Sequence, residues 1–293
     1  MSDLPLERIT VRTSDGLKLA ADICGPEDGP GVVLAHGGGQ TRHAWAGAQA
    51  ALSGAGYRVI SYDARGHGES DWARNNKYPL RQRWSDMSLV CAALRKPVAI
   101  VGASMGGGAA MQGLAEGYRP AALVLVDIAP NANREGIARV QAFMRSGLGG
   151  YDTLGEVADA VAAYLPERPR PEDASGLMKN LRLGGDERWY WHWDPGVVMV
   201  DLEEERAAMG ATMAALSKAR DVPLMLVRGL RSDVVTADTA ETFRRAVPGL
   251  EVLEIASAGH MVAGDRNDMF NEAVIRFLKR HVPPVGGPGR PPA

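Results

Sequence analysis

Short, uniformly apolar runs recurring between helix-like segments constrain the fold of this chain more than any other feature. Val32-Val33-Leu34-Ala35, Tyr57-Arg58-Val59-Ile60-Ser61-Tyr62, Val98-Ala99-Ile100-Val101 and Ala122-Leu123-Val124-Leu125-Val126 have the length and character of strands buried on both faces. Residues 44–54, 81–94 and 105–117 fall between them and read as helices. Strands and helices alternating at this spacing predict an α/β architecture, with a mostly parallel central sheet and helices on both faces. Ahead of it, 9–11 and 17–23 alternate around Ser14-Asp15-Gly16, which predicts an opening antiparallel hairpin with an Asp-Gly turn.

The rhythm stops after Ile128-Ala129-Pro130 and resumes at Val222-Pro223-Leu224-Met225-Leu226-Val227, followed by a last strand at 251–255. Between the two points, 154–165 and 202–218 have helical spacing, and Pro166-Glu167-Arg168-Pro169-Arg170-Pro171 breaks the chain. The organisation expected is a core of 1–129 and 219–282, a helical cap of 130–218 lying over the sheet, and a disordered Pro/Gly tail at 283–293. A final helix is expected at 266–281.

Lys and Arg number 33 against 35 Asp and Glu, a net charge of −2, so no global field favours nucleic acid or an anionic membrane. The N-terminal residues lack the basic start and apolar core of a signal peptide, and no apolar run reaches membrane-spanning length, so the expected compartment is the cytoplasm. Cys24 and Cys91 lie far apart without metal-ligand spacing and read as buried free thiols. With no H-E-x-x-H or paired-cysteine motif, neither a metal nor another cofactor is expected. Oligomeric state leaves no mark in the sequence.

Chemistry concentrates at Gly102-Ala103-Ser104-Met105-Gly106, directly after one of the apolar runs and at the head of a helix. A serine on so sharp a turn needs strained backbone angles, and the flanking glycines remove side chains that would collide with strand and helix. A serine hydroxyl is a weak nucleophile near neutral pH and needs a base, which in turn needs an acid to orient it. His260 follows the last predicted strand, the only one of the six histidines between a late strand and the final helix, and is the expected base. Asp233, in the loop after the preceding strand, is the expected acid, with Asp127 at the end of the strand after the elbow helix as its competitor. The oxyanion donors expected are the backbone N–H of Met105 and that of Gly38, with Gly39 second, in the loop His36-Gly37-Gly38-Gly39-Gln40. His36, Asp63, Arg65 and His67 read as organisers of tight turns.

With these motifs in order, the chain resembles α/β-hydrolases of the single-domain bacterial type with a helical cap. The resemblance covers the His36 loop, the turn Asp63-Ala64-Arg65-Gly66-His67-Gly68-Glu69-Ser70, the Ser104 elbow, the Gly229 to Asp233 loop and Gly259-His260. Gly37 to His43, Tyr190-Trp191-His192-Trp193-Asp194-Pro195 and His260 to Asn267 are similar to segments of bacterial esterases, among them monoalkyl phthalate hydrolases and esterases active on aliphatic polyesters. The resemblance implies a cofactor-free serine esterase, acting on small to medium esters through an acyl-enzyme. Gly39, Arg42, Trp191, His192, Trp193 and Met261 are candidate substrate contacts; the tryptophans equally suit the cap's own core, and Arg42, His43 and His192 a solvated role.

Other chemistries share parts of this pattern. A perhydrolase or haloperoxidase without cofactor, or a carbon–carbon bond hydrolase, uses the same three side chains. Epoxide hydrolases and haloalkane dehalogenases need a carboxylate where this chain has Ser104, and a receptor on this fold would retain ligand instead of turning it over. The glycines after Ser104 also mimic a dinucleotide turn, but such a turn belongs on the first parallel strand and here follows the third.

Overall fold

The computed structural model describes residues 5–166, 169–200, 202–256, 258–260 and 267–284. Among the described residues ten strands form, eight of them in one sheet: β1 (Glu7–Arg12), β2 (Lys18–Cys24), β3 (Gly31–Ala35), β4 (Arg58–Tyr62), β5 (Val98–Ala103), β6 (Ala122–Val126), β9 (Leu224–Gly229) and β10 (Glu251–Ile255). Their order is β1-β2-β4-β3-β5-β6-β9-β10. The first two strands pair antiparallel around the turn at Gly16, whose φ of +86° suits a residue without Cβ. β2 pairs antiparallel with β4 as well, and β4, β3, β5, β6, β9 and β10 then run parallel to one another across the sheet. The central strands β3, β5, β6 and β9 are apolar and almost wholly buried because helices cover both faces.

On one face lie α1 (Ala46–Gly54) and α8 (Asn267–His281); Trp45 just before α1, with Leu52, Phe270, Val274 and Phe277 of the helices, packs on Val32, Leu34, Val101 and Val124. The opposite face carries α2 (Leu80–Ala92), α3 (Met105–Ala115), α6 (Leu202–Lys218) and α7 (Ala237–Ala246), with Met87, Met111, Leu216 and Phe243 set against Val33, Ile100 and Leu125. Cys24 and Cys91 are free and buried.

The expected interruption falls between β6 and β9. It contains α4 (Arg134–Ser146), α5 (Leu154–Tyr164) and a two-stranded ribbon, β7 (Leu181–Leu183) with β8 (Trp189–Trp191). These enclose a separate small core of Met144, Val157, Leu181, Trp191, Trp193 and Val197. By packing, α6 belongs to the sheet's helical layer, because Leu216 is buried in the main core and Met209 and Met213 lie against it. Helical spacing within 202–218 could not show which body the helix faces. Pattern reading also leaves out α4 and α7, which begin at side-chain caps from Asn133 and Thr236. Most of the expected tail, 285–293, lies outside the described residues.

Candidate active site

The carboxyl ends of β3, β5, β6, β9 and β10 converge, and each contributes a loop. Ser104 sits between β5 and α3 at φ +43° and ψ −110°, a left-handed conformation that costs a side-chain-bearing residue energy and is kept only where its surroundings enforce it. The glycines explain how. A Cβ on Gly106 would stand 2.5 Å from the Ala35 carbonyl oxygen, and one on Gly102 2.6 Å from the Gly107 nitrogen. Any other residue at either position would push the turn open.

Ser104 N–H donates to the Val126 carbonyl at 3.0 Å, so the serine lies beside the end of β6, one residue before Asp127. Asp127 is itself at φ +49°, completely buried, with its N–H on the Val227 carbonyl at 2.8 Å. Its Oδ2 lies 2.7 Å from Nδ1 of His260, whose side chain is 10% exposed. A carboxylate only accepts, so Nδ1 carries the proton on this side, and in the neutral ring the lone pair is then on Nε2. Oδ2 also accepts a short hydrogen bond from Ser232 Oγ, and Oδ1 a longer one, 3.4 Å, from Gly229 N–H.

Asp233, the expected acid, is turned the other way. Its Oδ2 accepts from Arg139 of α4, from Nε at 2.7 Å and from Nη2, at a part-exposed surface pair. The geometry therefore replaces Asp233 by Asp127 as the partner of His260. The physical reason is a one-residue offset in the β9 loop: Ser232 faces inward to Asp127, so its neighbour faces out.

Three glycine N–H groups follow β3. Gly37 N–H donates to Oε1 of Gln40 at 2.9 Å and Gly39 N–H to Nε2 of His67 at 3.2 Å, whereas the Gly38 N–H has no acceptor among the described residues. The loop lies directly on the elbow, since a Cβ on Gly37 would be 3.4 Å from that of Ser104. Met105 opens α3, where an N–H has no intrahelical acceptor and the helix dipole favours negative charge. His36 and His67 brace the loop against the turn after β4. Each places Nδ1 on a carbonyl, Gly37 at 2.8 Å and Arg65 at 3.2 Å, and each accepts a backbone N–H at Nε2, from Ala64 at 2.9 Å in the case of His36. Burial lowers the pKa of both rings, that of His67 well below the ordinary histidine range with His36 adding to the effect.

The remaining candidates separate. Arg42 is 1% exposed and ion-paired with Asp22, Asp63 and Glu69, so the expectation that it touches substrate is corrected. Burial alone would lower its pKa, but Asp63, Glu69 and Asp22 outweigh it and hold the charge. Trp191 points into the small core beside α4, α5 and the ribbon, against Phe143 and Tyr151. Trp193 reaches the site: its Nε1 is 3.7 Å from where a Gly39 Cβ would stand, and Met144 of α4 lies over Gly38 at the same separation. Residues 192–194 are stitched to the turn after β4 through Gly68 N–H to His192 O and Asp194 N–H to Gly66 O, each 2.7 Å. The half-buried His192 ring, its pKa lowered by burial, lies within the field of Asp63 and Arg182. Met261 lies outside the described residues. Sequence reasoning missed Ser232 and Met144; only the Ser-Asp pair in the β9 loop hinted at the former.

Residues 32–273 match the model of the alpha/beta hydrolase family. The chain belongs to that family. Among curated relatives of this alpha/beta hydrolase, esterase Rv0045c of Mycobacterium tuberculosis is 30% identical over 258 residues, spanning 85% of this chain and 83% of that protein. The 3-hydroxybutyrate-oligomer hydrolase of Cupriavidus necator is 27% identical over 242 residues, with 78% and 82% covered. The fold is shared with an alpha/beta hydrolase from Novosphingobium aromaticivorans at a TM-score of 0.78 and 24% identity, covering 96% of this chain and 99% of the other. Among the described residues of this alpha/beta hydrolase, no helix is long and apolar enough to cross a membrane.

Proposed function

We propose that the protein is a serine hydrolase that cleaves carboxylic esters through an acyl-enzyme, with Ser104 as nucleophile, His260 as base and Asp127 as acid. The observation that carries this reading is the Asp127–His260 pair, at 2.7 Å, held at the strand end beside the strained serine. An esterase and a 3-hydroxybutyrate-oligomer hydrolase among the relatives support it.

In this mechanism, Ser104 Oγ attacks the ester carbonyl while its proton passes to His260 Nε2. The tetrahedral oxyanion accepts from the N–H groups of Gly38 and Met105. As the carbon–oxygen bond to the leaving group breaks, the imidazolium returns its proton to that oxygen and the alcohol departs. Water, deprotonated by the same ring, then attacks the acyl-enzyme and releases the acid. Asp127 fixes the tautomer and stabilises the imidazolium in both halves. Met144 and Trp193, beside the glycine loop, form an apolar wall suited to small or medium acyl groups.

Replacing Ser104 by Ala tests the reading. Hydrolysis of p-nitrophenyl butyrate should fall by about 10⁴-fold or more, and a fluorophosphonate should no longer label the protein. Activity within about tenfold of wild type would remove the serine from the reaction.

A further inference from the structure

We propose that Ser232 is a positioning residue for this reaction: its hydroxyl orients the Asp127 carboxylate for His260. The inference rests on the serine-hydrolase reading above. Ser232 is 8% exposed, in the turn that follows β9. Its Oγ accepts two backbone hydrogen bonds, from Val234 N–H at 3.1 Å and Val235 N–H at 3.2 Å. A hydroxyl has two acceptor positions and one proton, so with both positions filled the proton is committed in a single direction. The atom it meets is Asp127 Oδ2, the same oxygen that faces His260 Nδ1.

Little else sets the torsion of that carboxylate. Gly229 N–H reaches Oδ1 only at 3.4 Å, and the backbone of Asp127 is in a left-handed conformation that does not by itself aim the side chain. Without the Ser232 proton, the partners left to the carboxylate among the described residues are the long Gly229 bond and His260, the group it is required to steer. The turn is firmly fixed on its other side, with Arg231 N–H on the Ala258 carbonyl at 3.1 Å and Asn133 N–H on that of Val234 at 2.8 Å. The same turn thus joins the Asp127 loop to the His260 loop and keeps the two ends of the pair in register.

The test is a double-mutant cycle on kcat and KM for p-nitrophenyl butyrate, with rates per folded protein from circular dichroism. Ser232→Ala should lower kcat by about 10- to 100-fold with KM changed less than about threefold. Ser232→Thr keeps the hydroxyl and should restore kcat to within about fivefold of wild type. In an Asp127→Asn background, Ser232→Ala should cost less than about twofold, because the carboxylate it steers is gone. Equal losses in both backgrounds, or a kcat of Ser232→Ala within about threefold of wild type, would overturn the proposal. If Ser104→Ala is inactive in the same series, that failure belongs to Ser232 alone; an active Ser104→Ala would defeat the underlying reaction instead.

Discussion

Asparagine at position 127 separates the two aspartates that the sequence offers. The side chain keeps its size within a fully buried site, but one carboxylate oxygen becomes a donor and the charge is lost. If the amide nitrogen takes the Oδ2 position, it faces the Ser232 proton and His260 Nδ1–H; if it takes the Oδ1 position, it faces Gly229 N–H. Either arrangement sets donor against donor, and the imidazolium formed during the reaction has no counter-charge. The comparable loss in triad enzymes is about 10⁴-fold in kcat, equivalent to about 5.4 kcal/mol at 1.36 kcal/mol per decade. Asp233→Asn breaks only an exposed pair in which Arg139 is 65% and Asp233 32% exposed. Such pairs contribute about 0–1 kcal/mol to stability, and kcat should stay within about threefold. The assay is p-nitrophenyl butyrate hydrolysis at pH 7.5, with urea unfolding of both variants. Asp127→Asn retaining more than about a tenth of wild-type kcat, beside an inactive Asp233→Asn, would return the acid role to the β9 loop and refute the geometric argument.

Acid should weaken the fold through the two bracing histidines. Burial keeps His36 and His67 unprotonated in the native protein, while the unfolded chain binds protons near pH 6.5, so their stabilisation is complete above that pH and is lost as pH falls toward the folded pKa values. Each ring contributes a slope of at most about 1.36 kcal/mol per pH unit; His67→Gln keeps an acceptor for Gly39 and should flatten the fall in urea midpoint between pH 7 and 5.5, and an unchanged slope would contradict this assignment. Gly106→Ala drives a methyl group to 2.5 Å from the Ala35 oxygen and should cost about 1–3 kcal/mol in urea unfolding together with activity. Gly210→Ala, in α6 with nothing within 4 Å of the new Cβ, should instead stabilise by about 0.5–1 kcal/mol without changing kcat, and destabilisation there would show that the helix is not as open as described.

The strand rhythm and the elbow were legible because they rest on local chemistry: uniformly apolar runs for the doubly covered strands β3, β5, β6 and β9, and glycines two residues either side of Ser104. The acid was not. Both Asp127 and Asp233 follow a parallel strand and precede His260, so chain order fits either, and only a one-residue rotation of the β9 turn decides between them. Arg42 was misread for a related reason. Its partners Asp22, Asp63 and Glu69 come from β2 and from the turn after β4, and no sequence-local signal announces that a cation beside a glycine loop is neutralised from elsewhere. Trp191 and Trp193 share the small core of α4, α5 and the ribbon, but Trp193, beyond the ribbon where the chain pairs with His67, also reaches Gly39.

Strands β6 and β9 are immediate neighbours, joined at Val126 and Val227, although almost a third of the molecule's length is threaded between them. Asp127 stands just before that excursion and Ser232 just after it, and the bonds uniting them with His260 bypass it altogether. The links among Asp127, Ser232 and His260 thus run across the strand ends, while the long excursion meets them from one side, laying Met144 and Trp193 against the glycine loop.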